Sequence, residues 1–172
     1  RQSGTDTEWN LHRTAHTYNP SIIRCLVKTK SLDFPLYKEL NAKSNFMIPF
    51  KDITLADKDT ITSFTMKSER RNCDLSFSNL CSWRFLYDTK FAVIDNFLVF
   101  KFWAGEQLAY MMPVGTGDLK AVLKELIEDA RKENQHFCML GVCSNMRADL
   151  EAILPEQFTF TEDRDYADYI YF

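Results

Sequence analysis

Residues 118–142 read DLKAVLKELIEDARKENQHFCMLGV, and two structural periods meet inside them. Leu119, Val122, Leu123, Leu126, Ile127 and Ala130 fall at offsets 0, 3, 4, 7, 8 and 11. That spacing puts all six on one stripe of a helix over 118–133, with the charged residues opposite. Lys124–Glu128 and Glu128–Lys132 stand at i,i+4 on the polar side and can pair. Asp118 can cap the helix start. His136–Val142 (HFCMLGV) then changes to a continuous apolar run of strand length, the pattern of a strand buried on both faces. An amphipathic helix running into such a strand is half of a crossover unit. The other half is the apolar segment Gln107–Met112 just upstream.

Reading upstream, Phe97–Trp103 alternates, with Leu98, Phe100 and Phe102 on one face and Phe97, Val99, Lys101 and Trp103 on the other. Asp95-Asn96 and Ala104-Gly105-Glu106 are turn signals, so Phe91–Ile94, Phe97–Trp103 and Gln107–Met112 form an antiparallel meander. Before it, Asp74 or Ser76 can cap a helix with Phe77, Leu80, Trp83 and Tyr87 inward. Thr54 and Asp57 resemble a capping box for a helix over Ala56–Met66, with Leu55, Ile61 and Phe64 inward. Ile48–Ile53 suits a short strand. Downstream, Ser144 or Asn145 caps a helix carrying Met146, Leu150 and Ile153, ended by Pro155. The aromatic Tyr166–Phe172 reads as a last strand. Hairpins followed by crossovers give a mixed, mostly antiparallel sheet flanked by helices, an α+β fold. The order β-α-α-β-β-β-α-β-α-β is that of the GNAT-like acyltransferase fold.

Composition narrows the classes. The chain has 172 residues, 45% hydrophobic and 26% charged, the profile of a globular protein. No apolar run approaches the length needed to span a bilayer as a helix. The net charge of −3 argues against a general nucleic-acid binder working by phosphate neutralisation. The charge is uneven. Residues 1–46 hold seven basic against four acidic residues, and residues 47–172 hold fourteen against twenty. Residues 1–46 also lack a clean period. We therefore expect two parts: an irregular basic leader over 1–46, upstream of a natural start at Met47 and outside the native structure, and one domain over 47–172. A genuine basic N-terminal arm is the alternative. The five cysteines (25, 73, 81, 138 and 143) fit no zinc spacing and read as buried, reduced thiols of a cytoplasmic protein. With His136 the one histidine after residue 16, no metal site is expected.

Chemistry has few candidates. Met112–Asp118 joins a strand end, a Gly-x-Gly and a helix start. Backbone N–H groups around Gly115, Thr116 and Gly117 could hold an anion such as a coenzyme pyrophosphate. The loop lacks a basic residue, however, and Asp118 would repel an anion, so a plain glycine turn with an Asp cap is the competing reading. Arg70 and Arg71 could receive a phosphate or carboxylate, or stay a solvated pair near Glu69 and Asp74. The acidic run Glu162-Asp163-Arg164-Asp165 lacks calcium-loop spacing. No GxSxG elbow occurs, and no catalytic residue is assigned.

The residues also carry a resemblance. Ser76-Phe77-Ser78-Asn79-Leu80-Cys81-Ser82-Trp83-Arg84 resembles an S-F-x-N-L-x-x-W-R signature of a group of bacterial proteins. Pro113, Gly115, Gly117 and Asp118 match its P-x-G-x-G-D turn, and Asp168-Tyr169-Ile170-Tyr171 its D-Y-x-Y element. The group resembles the C-terminal, cytosolic part of phosphatidylglycerol lysyltransferases, aminoacyl-lipid synthases built from two GNAT-like domains. The matches run in order from Met47 to the end. The resemblance implies a transferase that takes an aminoacyl group from aminoacyl-tRNA and passes it to a phospholipid headgroup or another acceptor. It implies a cytoplasmic or membrane-peripheral place. It further implies that this chain is the N-terminal half of a tandem enzyme, its second GNAT-like domain missing. A stand-alone acetyl-coenzyme A (acetyl-CoA) N-acetyltransferase using the Gly115–Gly117 turn, and a non-catalytic interaction domain, are the alternatives.

Overall fold

The computed structural model describes residues 24–30, 47–68, 70 and 72–163. Their strands are β1 (Arg24–Thr29), β2 (Lys51–Asp52), β3 (Lys90–Ile94), β4 (Phe97–Ala104), β5 (Gln107–Met111), β6 (Val114–Gly115), β7 (Cys138–Val142) and β8 (Phe158–Asp163). The helices are α1 (Lys58–Thr65), α2 (Phe77–Tyr87), α3 (Leu119–Lys132) and α4 (Ser144–Ile153). All eight strands join one sheet in the order β2-β3-β4-β5-β7-β1-β8, with β6 on β4. Neighbours pair antiparallel except β5 and β7, which run parallel across the α3 crossover. This is the expected α+β fold, and from β2 to α4 the element order is the expected one, with the short β6 added before α3.

The meander is closed by local signals. Asp95 and Asn96 both have positive φ, the two-residue turn whose twist matches the flanking strands. In β4 both faces are buried, and the alternation sends them to two cores. Phe97 and Val99 join Tyr110, Met139 and the apolar stripe of α3, with Met146 and Leu150 of α4. Leu98 and Phe100 meet Ile61 of α1 and Leu80 of α2 on the opposite face. Asp118 caps α3 through the Ala121 N–H at 3.1 Å. Deeper along that helix, Asp129 accepts from Tyr110 Oη at 2.7 Å and from Lys101 Nζ at 2.9 Å, tying α3 to β4 and β5.

β5 and β6 are one strand interrupted. β5 pairs with Lys101–Ala104 of β4, and β6 pairs with Phe97–Leu98 of the same strand. Between them lie Met112 and Pro113. A proline has no N–H for the ladder, so the pairing lapses there. A second irregularity sits at Gly141, whose φ is +74°. Opposite it the β1–β7 register jumps between Cys25↔Val142 and Val27↔Met139. The bulge returns Val142 to the core that Met139 already occupies.

Several expectations are corrected. Residues 24–29 lie in the segment expected to be irregular, yet they form β1, inserted between β7 and β8 with Val27 fully buried. The remainder of 1–46 is outside the described residues. The last described strand is β8, where Phe158 and Phe160 alternate with threonines; Tyr166–Phe172 lies outside the described residues. Ile48–Ile53 shrinks to a two-residue strand. Leu55 is 77% exposed rather than inward, because Leu55–Asp57 forms a 3-10 turn that breaks the helical phase before α1 begins. Cys143, not Ser144 or Asn145, holds the cap position of α4. The ion pair Glu128 makes on α3 includes Arg131 at i,i+3 rather than only the expected i,i+4 lysines. Cys73, Cys81, Cys138 and Cys143 are free thiols, and Cys73 is exposed, not buried.

Candidate functional site

The helices cover the two sheet faces unequally. On the α1/α2 face they lie over β3, β4 and β6, and the remaining surface, formed by β5, β7 and β1, stays open. The result is a cleft of about 760 Å³. Its floor is the outward side of β5 and β7, with Met111, Cys138, Leu140 and Gly141; Leu26 and Lys28 of β1 border it. Its wall is α2, through Leu80, Trp83 and Tyr87, with the 72–75 segment at one end. The parallel pairing of β5 with β7 ends at Met111↔Leu140. There the chain leaves β7 and turns to β4; the cleft runs along both strands, from Gln107 and Cys138 at their starts to this end, where the two parallel strands part. Ligands of sheets with parallel strands commonly sit at such a place.

Trp83 and Tyr87 were expected inside. They are 54% and 39% exposed, and their rings stand 6.3 Å apart along the cleft. Helical spacing puts them on the stripe next to Leu80, but no strand lies opposite to cover them. The sequence does hold a signal for this. α2 is apolar on nearly every face, and only one face of a helix can rest on a sheet.

Arg70 does not point into solvent. Its Nη1 donates to the Met112 carbonyl at 2.7 Å and its Nη2 to the Pro113 carbonyl at 2.6 Å. The guanidinium thus satisfies the two carbonyls at the break between β5 and β6. Burial pulls its pKa down, while Cys143 and Asp149 oppose that shift. A guanidinium stays charged regardless, so the clamp is a charge-assisted one. The structure therefore brings Arg70 to the same turn as Gly115–Gly117, at its other end and as a partner of carbonyl oxygens. Arg71 is outside the described residues.

The glycines of that turn have steric reasons. A Cβ on Gly115 would run into the Asn96 carbonyl oxygen and lie 2.8 Å from Phe97 Cα. Gly117 has φ +147°, and a Cβ there would sit 3.1 Å from the Asp95 carbonyl oxygen. Both glycines let the turn press against the β3–β4 hairpin. Thr116 is exposed between them.

Two cleft features, at Asn72 and Gly141, escaped the sequence reading; a third, Cys138, is one of the cysteines expected to be buried. Asn72 has a buried side-chain oxygen with no hydrogen-bond partner. Gly141 bulges the floor, and an isolated glycine inside an apolar strand is a legible sign of such a bulge. Cys138 is fully buried at the cleft floor, and burial pushes its thiol pKa up to about 11. A thiol so raised stays protonated and is a poor nucleophile. Among the described residues no group of three His, Cys, Asp or Glu is placed to hold a metal ion. No described helix is long and apolar enough to cross a membrane.

Comparison with known proteins gives this α+β domain a family. Residues 65–172 match the family model described as phosphatidylglycerol lysyltransferase, C-terminal, and the chain belongs to that family. It is also similar to a solved structure described as a conserved protein of unknown function from Bacteroides thetaiotaomicron VPI-5482. The identity is 88%, the TM-score 0.71, and the match covers 73% of this chain and 42% of that one. This chain thus spans less than half the length of that relative. Comparison with curated proteins returns no match.

Proposed function

We propose that the chain is the N-terminal half of a GNAT-like aminoacyltransferase. In this reading the cleft between α2 and the ends of β5 and β7 receives part of the donor or acceptor. The single observation that carries the reading is the cleft itself, in a chain whose family is named for lysyl transfer. The reaction is attack of an acceptor hydroxyl or amine on the ester carbon of aminoacyl-tRNA. A new ester or amide bond forms, the bond to the tRNA ribose oxygen breaks, and the acceptor proton ends on that oxygen. The chain's own contribution is positioning. An apolar floor excludes water, the Asn72 side-chain oxygen offers an acceptor, and Arg70 fixes the strand break beside it. The acceptor is a phospholipid headgroup or another nucleophile, presented by a cytoplasmic or membrane-peripheral enzyme. The second GNAT-like domain supplies the basic surface for tRNA.

The acetyl-CoA reading draws less support. Gly115 and Gly117 are explained by the Asn96 and Asp95 carbonyls, and Asp118 holds the helix N-terminus that a pyrophosphate would need. The two readings separate in two assays. Calorimetric titration of this chain with acetyl-CoA should give no binding heat. Micromolar affinity abolished by Gly117→Asp would reverse the preference. The longer relative, supplied with radiolabelled aminoacyl-tRNAs and phosphatidylglycerol vesicles, should move label into a product distinct from tRNA. Failure with every donor and with both lipid and amine acceptors would sink the aminoacyl reading.

A further inference from the structure

The cleft beneath α2 is electrostatically unlike the chain around it. Its lining holds two cations, Lys28 and Arg70, and one carboxylate, Asp74, in a chain whose net charge is −3. A concave wall with an excess of one sign attracts ligands of the other. Most of the polar lining is already engaged. Arg70 gives both arms to the Met112 and Pro113 carbonyls. Asn79 Nδ2 donates to the Cys73 carbonyl at 3.0 Å, and Gln107 Nε2 to the Leu108 carbonyl at 2.9 Å. Asp74 has a partner too. Lys28 differs, since among the described residues no carboxylate pairs with it. The register of β1 puts it on the cleft side. It stands across from Cys138 of the floor, while Val27 turns to the opposite face with Met139. Burial raises the Cys138 thiol, and the Lys28 charge pulls it part of the way back, so the ammonium acts at the floor.

The apolar lining has a preference of its own. α2 presents the rings of Trp83 and Tyr87, and the thioethers of Met111, Met112 and Met146 join them. Rings and thioether sulfurs both favour a flat aromatic group, through stacking and sulfur–ring contacts. A volume of about 760 Å³ is that of a site for one small molecule. We infer that the cleft binds a small aromatic carboxylate, its ring against Trp83 and Tyr87 and its carboxylate on the Lys28 ammonium. A phosphate or pyrophosphate suits the site less. Such anions call for a guanidinium fork or several N–H groups, and the fork of Arg70 is occupied. A lone ammonium is a point charge that suits one carboxylate. A cationic aminoacyl group would meet Lys28 as a like charge. The inference narrows the proposed function by naming the chemistry of the group in the cleft. It rests on that reading only for the cleft being where a reacting molecule binds. Its test reads binding and not transfer, so either can fail alone.

Calorimetric titration of this chain with three isosteres tests it: naphthylacetate, naphthylacetamide and naphthylethylammonium. Expected is affinity for the carboxylate about fivefold above that for the other two, the upper range for an ion pair at a protein surface. The preference should shrink with added salt. Lys28→Met should erase it, and Lys28→Glu should reverse it in favour of the ammonium, a gain that a misfolded variant cannot show. Equal affinities for the three would overturn the inference, as would a preference that survives Lys28→Met or no binding of any probe at millimolar concentration. Trp83→Ala should weaken naphthylacetate several-fold; an unchanged affinity would put the ligand outside the cleft and overturn the assignment. Octanoate should bind more weakly than naphthylacetate, and the opposite order would overturn the aromatic part. Displacement of naphthylacetate by phosphatidylglycerol vesicles would name a lipid as the occupant and overturn the inference as well.

Discussion

Replacing Arg70 by methionine isolates what the clamp on Met112 and Pro113 contributes. Methionine keeps most of the apolar stem and removes the guanidinium. Two hydrogen bonds are lost, at 2.7 and 2.6 Å, both from a charged donor to a carbonyl. Hydrogen bonds to charged groups contribute about 1.5–3 kcal/mol each. The sum overstates the loss, because Arg70 borders the cleft and water can enter to solvate the freed carbonyls. Regained desolvation of the guanidinium offsets a further part. About 2–4 kcal/mol of destabilisation remains, a large fraction of the ~5–15 kcal/mol typical of a domain. Arg70→Lys can reach one carbonyl at a time and should lose about half as much. Urea unfolding followed by far-ultraviolet circular dichroism, with the slope held constant, measures both variants. A loss under ~0.5 kcal/mol for Arg70→Met would refute the clamp, since surface changes fall in that range. If that variant instead kept its stability and lost affinity for pyrophosphate, Arg70 would be an anion ligand and the reading of the whole turn would change.

Other expectations follow from the same geometry. Gly115→Ala forces a methyl against the Asn96 carbonyl and should cost about 1–3 kcal/mol by overpacking, whereas Gly105→Ala meets no neighbour within 4 Å and should suffer only the strain of its positive φ; thermal unfolding ranks the two. Asp57 accepts from Lys51 Nζ and Thr54 Oγ1, both at 2.6 Å, and these bonds lower its pKa from 3.8 to about 2. The folded value is the depressed one, so its stabilisation is present above pH ~4 and fades as pH falls toward ~2, and Asp57→Asn should flatten the stability–pH curve in that window. Asp129→Asn leaves the largely buried Lys101 with Glu133 alone and should cost about 2 kcal/mol, with Tyr110→Phe costing about 1, both read by chemical denaturation. Cys138 should resist alkylation at pH 8 while the exposed Cys73 reacts, as mass spectrometry of the labelled chain will show.

The sequence by itself determined the parts whose causes are local. The stripe of α3 is set by spacings of three and four, the β3–β4 turn by two residues that tolerate positive φ, and the two faces of β4 by the alternation along Phe97–Trp103. These yield the element order and the α+β class, because a helix or hairpin answers mainly to its own neighbours in sequence. The tertiary structure decided what depends on distant residues. Arg70 meets the carbonyl of Pro113 across 43 positions, and no motif announces that pairing. Gly115 resembles an anion loop in one dimension, and only in three does the Asn96 carbonyl that a Cβ there would meet come into view. β1 belongs to the sheet because Val27 fills a gap between β7 and β8 that periodicity in a short polar stretch does not reveal. Trp83 and Tyr87 follow a correct helical stripe yet stay exposed, because what faces a helix depends on how far the sheet beneath it extends. The cleft is the sum of these long-range facts, so the same residues that read as core in the sequence form its open wall in the fold.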